Sequence, residues 1–231
     1  MENKRPIRII IVGDSYVNRL LNYMDGQQLT RWGIIEEDFC LTNESLNLTY
    51  IGRPGGDFKE LRELTLVETI REKTDIVVFM AGGNDLDKGQ ADPIKLASDI
   101  LEFAKDLQHS ELADFASLTQ VLERPSPKYS SRVSYAEKAD IFNESLQNLA
   151  NSHENILYWS HCRLNQSRNY FTEDGVHLNE VGNYSLYFSI KKALAHAIGH
   201  HNRGEKCRCP SATQDTRRPR GGYNGKKRQV I

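Results

Sequence analysis

Residues 7–16 read Ile-Arg-Ile-Ile-Ile-Val-Gly-Asp-Ser-Tyr. The β-branched run is broken only by Arg8 and stops at Gly13-Asp14. Such a run predicts a strand over Arg8–Val12 that is covered on both faces, as strands of parallel sheets are. Similar runs predict further strands at Leu46–Ile51, Asp75–Met80, Phe115–Leu122 and Ile156–Ser160. Helical spacing of apolar residues falls between them. Phe58–Ile70 carries Leu61, Leu64 and Val67/Ile70, and Pro93–Leu107 carries Ile94, Ala97, Leu101, Ala104 and Leu107. Ala136–Ala150 carries Ile141, Leu146 and Leu149, and Glu180–Ile198 precedes Gly199, a usual helix stop. Strands alternating with helices predict an α/β fold: a three-layer α/β/α sandwich with a central, mainly parallel five-stranded sheet of flavodoxin-like type.

In such sheets ligands sit beyond the carboxyl ends of the strands. Ser15 follows the first strand, at a turn where it either caps the next helix or stands exposed as a nucleophile. Gly52-Arg53-Pro54-Gly55-Gly56 follows the second, and Gly82-Gly83-Asn84-Asp85 the third. Glycine lets backbone approach a ligand, and an asparagine amide can donate into the same crevice. Before the last helix lies Asp174-Gly175-Val176-His177-Leu178-Asn179. There an aspartate can fix the tautomer of a histidine three positions on. Each element alone is an ordinary turn or cap. Together, in this order, they supply a nucleophile, a base, an orienting acid and three oxyanion donors, the set that acyl transfer to serine needs.

The chain has 231 residues, 39% hydrophobic and 26% charged, which suits one domain and a tail rather than a disordered chain. The net charge of −1 conceals a split: residues 1–200 sum to −8 and residues 201–231 to +7. The expected organisation is a domain over 1–200 and a basic, disordered tail over 201–231. The tail's lysines and arginines at 203–228 could hold phosphate backbones by counterion release. No run is apolar enough for a membrane span or a signal-peptide core, so an intracellular protein is expected. Cys40 and Cys162 are expected to be buried thiols. Cys207 and Cys209, with His200 and His201, match none of the usual zinc spacings. The dinucleotide, phosphate-loop, zinc-protease and lipase-elbow motifs are absent. His161 could approach the crevice, and Arg53 or Arg163 could select an anionic substrate.

The four blocks, Ile11-Val12-Gly13-Asp14-Ser15, Gly52-Arg53-Pro54-Gly55, Gly82-Gly83-Asn84-Asp85 and Asp174-Gly175-Val176-His177, resemble those of the SGNH-hydrolase, or GDSL-esterase, superfamily over residues 7–198. Tyr16 departs from the GDSL pattern, which has leucine there. The resemblance implies a serine esterase with Ser15, His177 and Asp174 as the triad. It implies an oxyanion hole of Ser15, Gly55 and Asn84, with Gly56 as a one-residue alternative to Gly55. It also implies no metal or organic cofactor, and a small-molecule, lipid or carbohydrate ester as substrate. A narrower likeness is to esterase-like domains of animal genomes, some in the first reading frame of LINE-type retrotransposons. It would give the basic tail a context in nucleic-acid handling. A catalytically silent binding module on the same fold stays open as the alternative.

Overall fold

The computed structural model describes residues 5–26, 29–30, 33–34, 39, 41, 45–89, 91–162, 164 and 168–203. The elements in chain order are β1 (Ile7–Gly13), α1 (Ser15–Gly26), β2 (Leu29–Thr30), β3 (Gly33–Ile34), β4 (Leu46–Gly52), α2 (Phe58–Arg71) and β5 (Thr74–Met80). They continue with α3 (Gly83–Asp87), α4 (Pro93–His109), β6 (Ala113–Thr119), α5 (Arg132–Ala150), β7 (Ile156–Trp159) and α6 (Glu180–Arg203). A 3-10 turn spans Arg168–Tyr170.

Five strands form one sheet in the order β4-β1-β5-β6-β7, every neighbouring pair parallel. β2 and β3 form a separate antiparallel pair that the apolar pattern does not signal. Side chains alternate across the sheet with period two. Ile10, Val12, Val77 and Phe79 pack with α2, α4 and α5, whereas Ile9, Ile11, Ile76 and Val78 pack with α1 and α6. This is the expected α/β/α sandwich. Register sets where the loops emerge. Gly13, the last residue of β1, pairs with Gly52 of β4 and Met80 of β5. The loops after these three adjacent strands therefore leave the sheet at one level.

Arg8 interrupts the apolar run but is itself buried, at 4% exposure. It faces α2 and pairs with Glu68 (2.6 Å) and Glu72 (3.3 Å), so its charge is compensated where it lies. Of the apolar face expected for α2 only Leu61 is buried: Leu64, Val67 and Ile70 are 39%, 68% and 69% exposed. The buried residues are Leu61, Thr65 and Thr69. Both threonine hydroxyls donate to carbonyls one turn back (2.7 and 2.9 Å), which lets them lie against the sheet without unmet polarity. Likewise Ile94 of α4 and Ile141 of α5 face solvent. Gly199 does not end α6, which runs on to Arg203, three residues past the boundary expected at 200. Phe115 and His200 stack there (6.3 Å between ring centres), so packing on the sheet carries the helix through the glycine.

Candidate active site

The oxyanion candidates come from the loops after three adjacent strands, β1, β4 and β5. Ser15 is the first residue of α1, where backbone N–H groups have no partner within the helix. Asp14 before it is buried, and its Oδ1 accepts from the Tyr16 N–H (2.9 Å). Arg53-Pro54-Gly55-Gly56 closes a turn in which the Gly56 N–H donates to the Arg53 carbonyl (2.9 Å). Gly55 has φ +73°, the left-handed conformation that the third position of a type II turn after proline requires. Gly56 has spent its N–H on the turn, and it is Gly55 that faces the cavity.

Asn84 lies in α3, and its orientation is fixed from both ends. Its Nδ2 donates to the Gly56 carbonyl (2.8 Å), and its Oδ1 accepts from Arg124 Nη2 (3.0 Å). An amide nitrogen carries two hydrogens. One ties Asn84 to the glycine turn, and Asn84 lines the cavity.

Asp174 and His177 lie on the loop before α6. His177 Nδ1 is 2.6 Å from Asp174 Oδ2. Burial works against the charge on Asp174. The His177 N–H and ring, the Val176 N–H and the Thr172 hydroxyl outweigh it and hold the carboxyl well below the usual range. Gly175 has φ +64°, and a Cβ there would come within 2.6–2.7 Å of Ser126. The Ser126 N–H donates to its carbonyl (3.0 Å). The glycine of D-G-V-H is thus required twice, by conformation and by a close approach. Ser15, Gly55, Asn84, Asp174 and His177 all line one cavity of about 450 Å³. That is within the usual size of a small-molecule site.

Arg124 and Asp87 line the cavity too and had no signal in the sequence. Arg124, 3% exposed, donates to Asp87 (3.0 Å) and Asn84 and lies 3.5 Å from Asp14, above the Tyr135 ring. Burial would lower its pKa, but Tyr135, Tyr16, Asp14 and Asp87 together push it up. Asp87 accepts from the backbone N–H groups of Lys128, Tyr129 and Ser130 and from the Ser130 hydroxyl. It thereby pins the loop that brings Lys128 and Tyr129 to the cavity wall. Tyr16, buried at 7% exposure, donates its hydroxyl to the Val176 carbonyl (2.5 Å).

His161 is not brought to this cavity. It lines a separate one of about 290 Å³ with Trp159, Tyr184 and Phe188. Its Nδ1 is 2.8 Å from Ser189 Oγ, and burial pushes its pKa down to about 4. Arg53 pairs with Glu60 (3.5 Å). Cys162 is exposed, contrary to expectation, in the turn after β7 that the Leu164 N–H closes onto the His161 carbonyl (2.8 Å). Cys40, Arg163, Cys207, Cys209 and the basic residues after 203 lie outside the described residues. His201 Nε2 is 3.9 Å from Asp75 Oδ1, at the opposite end of the sheet, where Asp75, Asp114 and His201 could together reach one ion. Asp75 is already held there by Arg5 and the Arg8 N–H. Among the described residues no helix is long and apolar enough to cross a membrane.

No family model matches the chain, and no curated protein does. Solved structures do. A GDSL-like lipase from Bacteroides thetaiotaomicron superposes with a TM-score of 0.65 at 18% identity, over 82% of this chain and 88% of its own. The chain has the SGNH-hydrolase fold. The lipase/acylhydrolase from Enterococcus faecalis gives 0.59 at 17% identity, over 85% and 96%. A carbohydrate esterase family 3 protein from Talaromyces cellulolyticus gives 0.60 at 12% identity, over 84% and 98%. In the SGNH fold adopted here, the four sequence blocks fall around one cavity, at the carboxyl edge of the sheet.

Proposed function

We propose that the chain is a serine ester hydrolase acting at the 450 Å³ cavity. One observation carries this reading: five residues from four separate segments line one cavity, with His177 Nδ1 already held by Asp174 at 2.6 Å. With Nδ1 held by Asp174, Nε2 is the ring nitrogen left to take the serine proton. Ser15 Oγ attacks the ester carbonyl as His177 Nε2 takes its proton. The developing oxyanion receives the N–H groups of Ser15 and Gly55 and the second Nδ2 hydrogen of Asn84. The imidazolium, stabilised by the ionised Asp174, returns its proton to the leaving alcohol. Water activated by His177 then releases the acid and restores Ser15. The chemistry needs no group beyond these side chains and water. The structural neighbours with lipase and esterase names support the same reaction class.

The test is hydrolysis of p-nitrophenyl acetate, butyrate and octanoate by the protein and by Ser15→Ala, with fluorophosphonate labelling in parallel. Turnover and labelling that both vanish in Ser15→Ala are the expected result. A folded protein that neither hydrolyses nor labels would refute the proposal and return the fold to the non-catalytic reading.

A further inference from the structure

The residue after Ser15 and the residue before His177 are bonded to each other. Tyr16 OH donates to the Val176 carbonyl at 2.5 Å, across 160 residues of sequence. The Tyr16 side chain is buried, and burial pushes its hydroxyl up to about 12, so it is a neutral donor at any working pH. Its own backbone is fixed as well, since its N–H donates to Asp14. The other end is fixed more tightly than one bond implies. The Val176 carbonyl and the His177 N–H belong to one planar peptide unit. The oxygen of that unit accepts from Tyr16, and its N–H donates to Asp174 Oδ1 at 2.9 Å. Held at both poles, the plane has a set direction, and it carries His177 Cα.

The other bonds of this loop are mainly internal. Thr172 N–H donates to the His177 carbonyl and Gly175 N–H to the Thr172 carbonyl, so 172–177 closes on itself. Ser126 anchors it from the side at Gly175. Tyr16 is the anchor that belongs to the helix bearing Ser15. We propose that Tyr16 is a positioning residue that sets the distance and angle between Ser15 and His177. The proposal rests on the esterase reading of the site. It gives the departure from the GDSL pattern a role: leucine at this position has no donor to offer. The tether acts on the approach of base to nucleophile.

Tyr16→Phe removes the hydroxyl and keeps the ring in its packing. The expected result is a fall in kcat of between about 10- and 100-fold, the scale of a misplaced catalytic group, with KM within about twofold. Tyr16→Leu should fall at least as far. The tether is also read without turnover, from the ¹³Cε1 resonance of His177, which should shift or broaden in Tyr16→Phe. If the wild type is inactive, the esterase reading fails, and the His177 resonance still judges the tether. Unchanged kcat in an active Tyr16→Phe, a defect confined to KM, or an unmoved His177 resonance would each overturn the proposal.

Discussion

Replacing Arg124 with methionine keeps the volume and removes the charge beneath the candidate site. Two buried carboxylates then lose a cation, but not equally. Asp87 keeps three backbone N–H donors and the Ser130 hydroxyl. Asp14 keeps the Tyr16 N–H. Breaking a buried pair costs about 3–5 kcal/mol, and most of that should arise at Asp14. The pH dependence follows from the sign of its shift. Burial already raises the Asp14 carboxyl above its ordinary value, and Arg124 opposes the rise. The folded state therefore binds this proton more tightly than the unfolded chain, and Asp14 subtracts stability as pH rises through the carboxylate range. Without Arg124 the subtraction grows. The deficit of Arg124→Met should be smaller at pH 4.5 than at pH 7. Adding Asp14→Asn should restore part of it, with a coupling of about 1–3 kcal/mol. The assay is urea unfolding followed by tryptophan fluorescence at both pH values. A loss below about 1 kcal/mol at pH 7, or a loss equal at the two pH values, would refute the reasoning.

Asn84→Ala should lower kcat by about 10²–10³ with little change in KM, as removal of one oxyanion donor does; steady-state kinetics on p-nitrophenyl acetate checks it. Gly175→Ala should lose about 1–3 kcal/mol, because φ +64° and the nearby Ser126 both oppose a Cβ; its urea midpoint reads this directly. Asp85 is pushed up to about 6, chiefly by burial, and accepts from the Phe58 N–H. As a raised acid it costs stability as pH climbs from about 4 to 6, so Asp85→Asn should gain stability on the wild type by about 2 kcal/mol between pH 4.5 and pH 7, seen in the two midpoints. Ending the chain at Arg203 should leave ester hydrolysis within about twofold, since the cavity draws on residues 15–177.

The layer architecture was legible because β1 and β5 are buried at every position, so that apolar continuity needed no tertiary information. The site blocks were legible because each falls just beyond a strand or before a helix, where local spacing marks it. What sequence could not supply were partners distant along the chain. Nothing near Arg124 reveals that Asp87 lies 37 residues before it in the same buried pair. Nothing near Tyr16 reveals Val176. That the Gly56 N–H is taken by the Arg53 carbonyl while Gly55 lines the cavity shows only in the folded turn. The face of α2 departs from its apolar pattern for a different reason. Threonines satisfied by their own helix are as buriable as leucine, and a hydropathy pattern counts them as polar.

The loops bearing Ser15, Gly55 and Asn84 leave neighbouring strands at the level where Gly13 pairs with Gly52 and Met80. Adjacent strands lie about 4.8 Å apart in any sheet. The spacing of the strand ends from which these three positions emerge is therefore set by the backbone of the sheet. A cavity built on such a ruler can change the part of its rim that holds none of the site residues. The side chains of Lys128 and Tyr129, which line the cavity but are held to Asp87 through their backbone N–H groups, can change while the distance between the strand ends stays constant. New substrates can be reached by altering the rim alone.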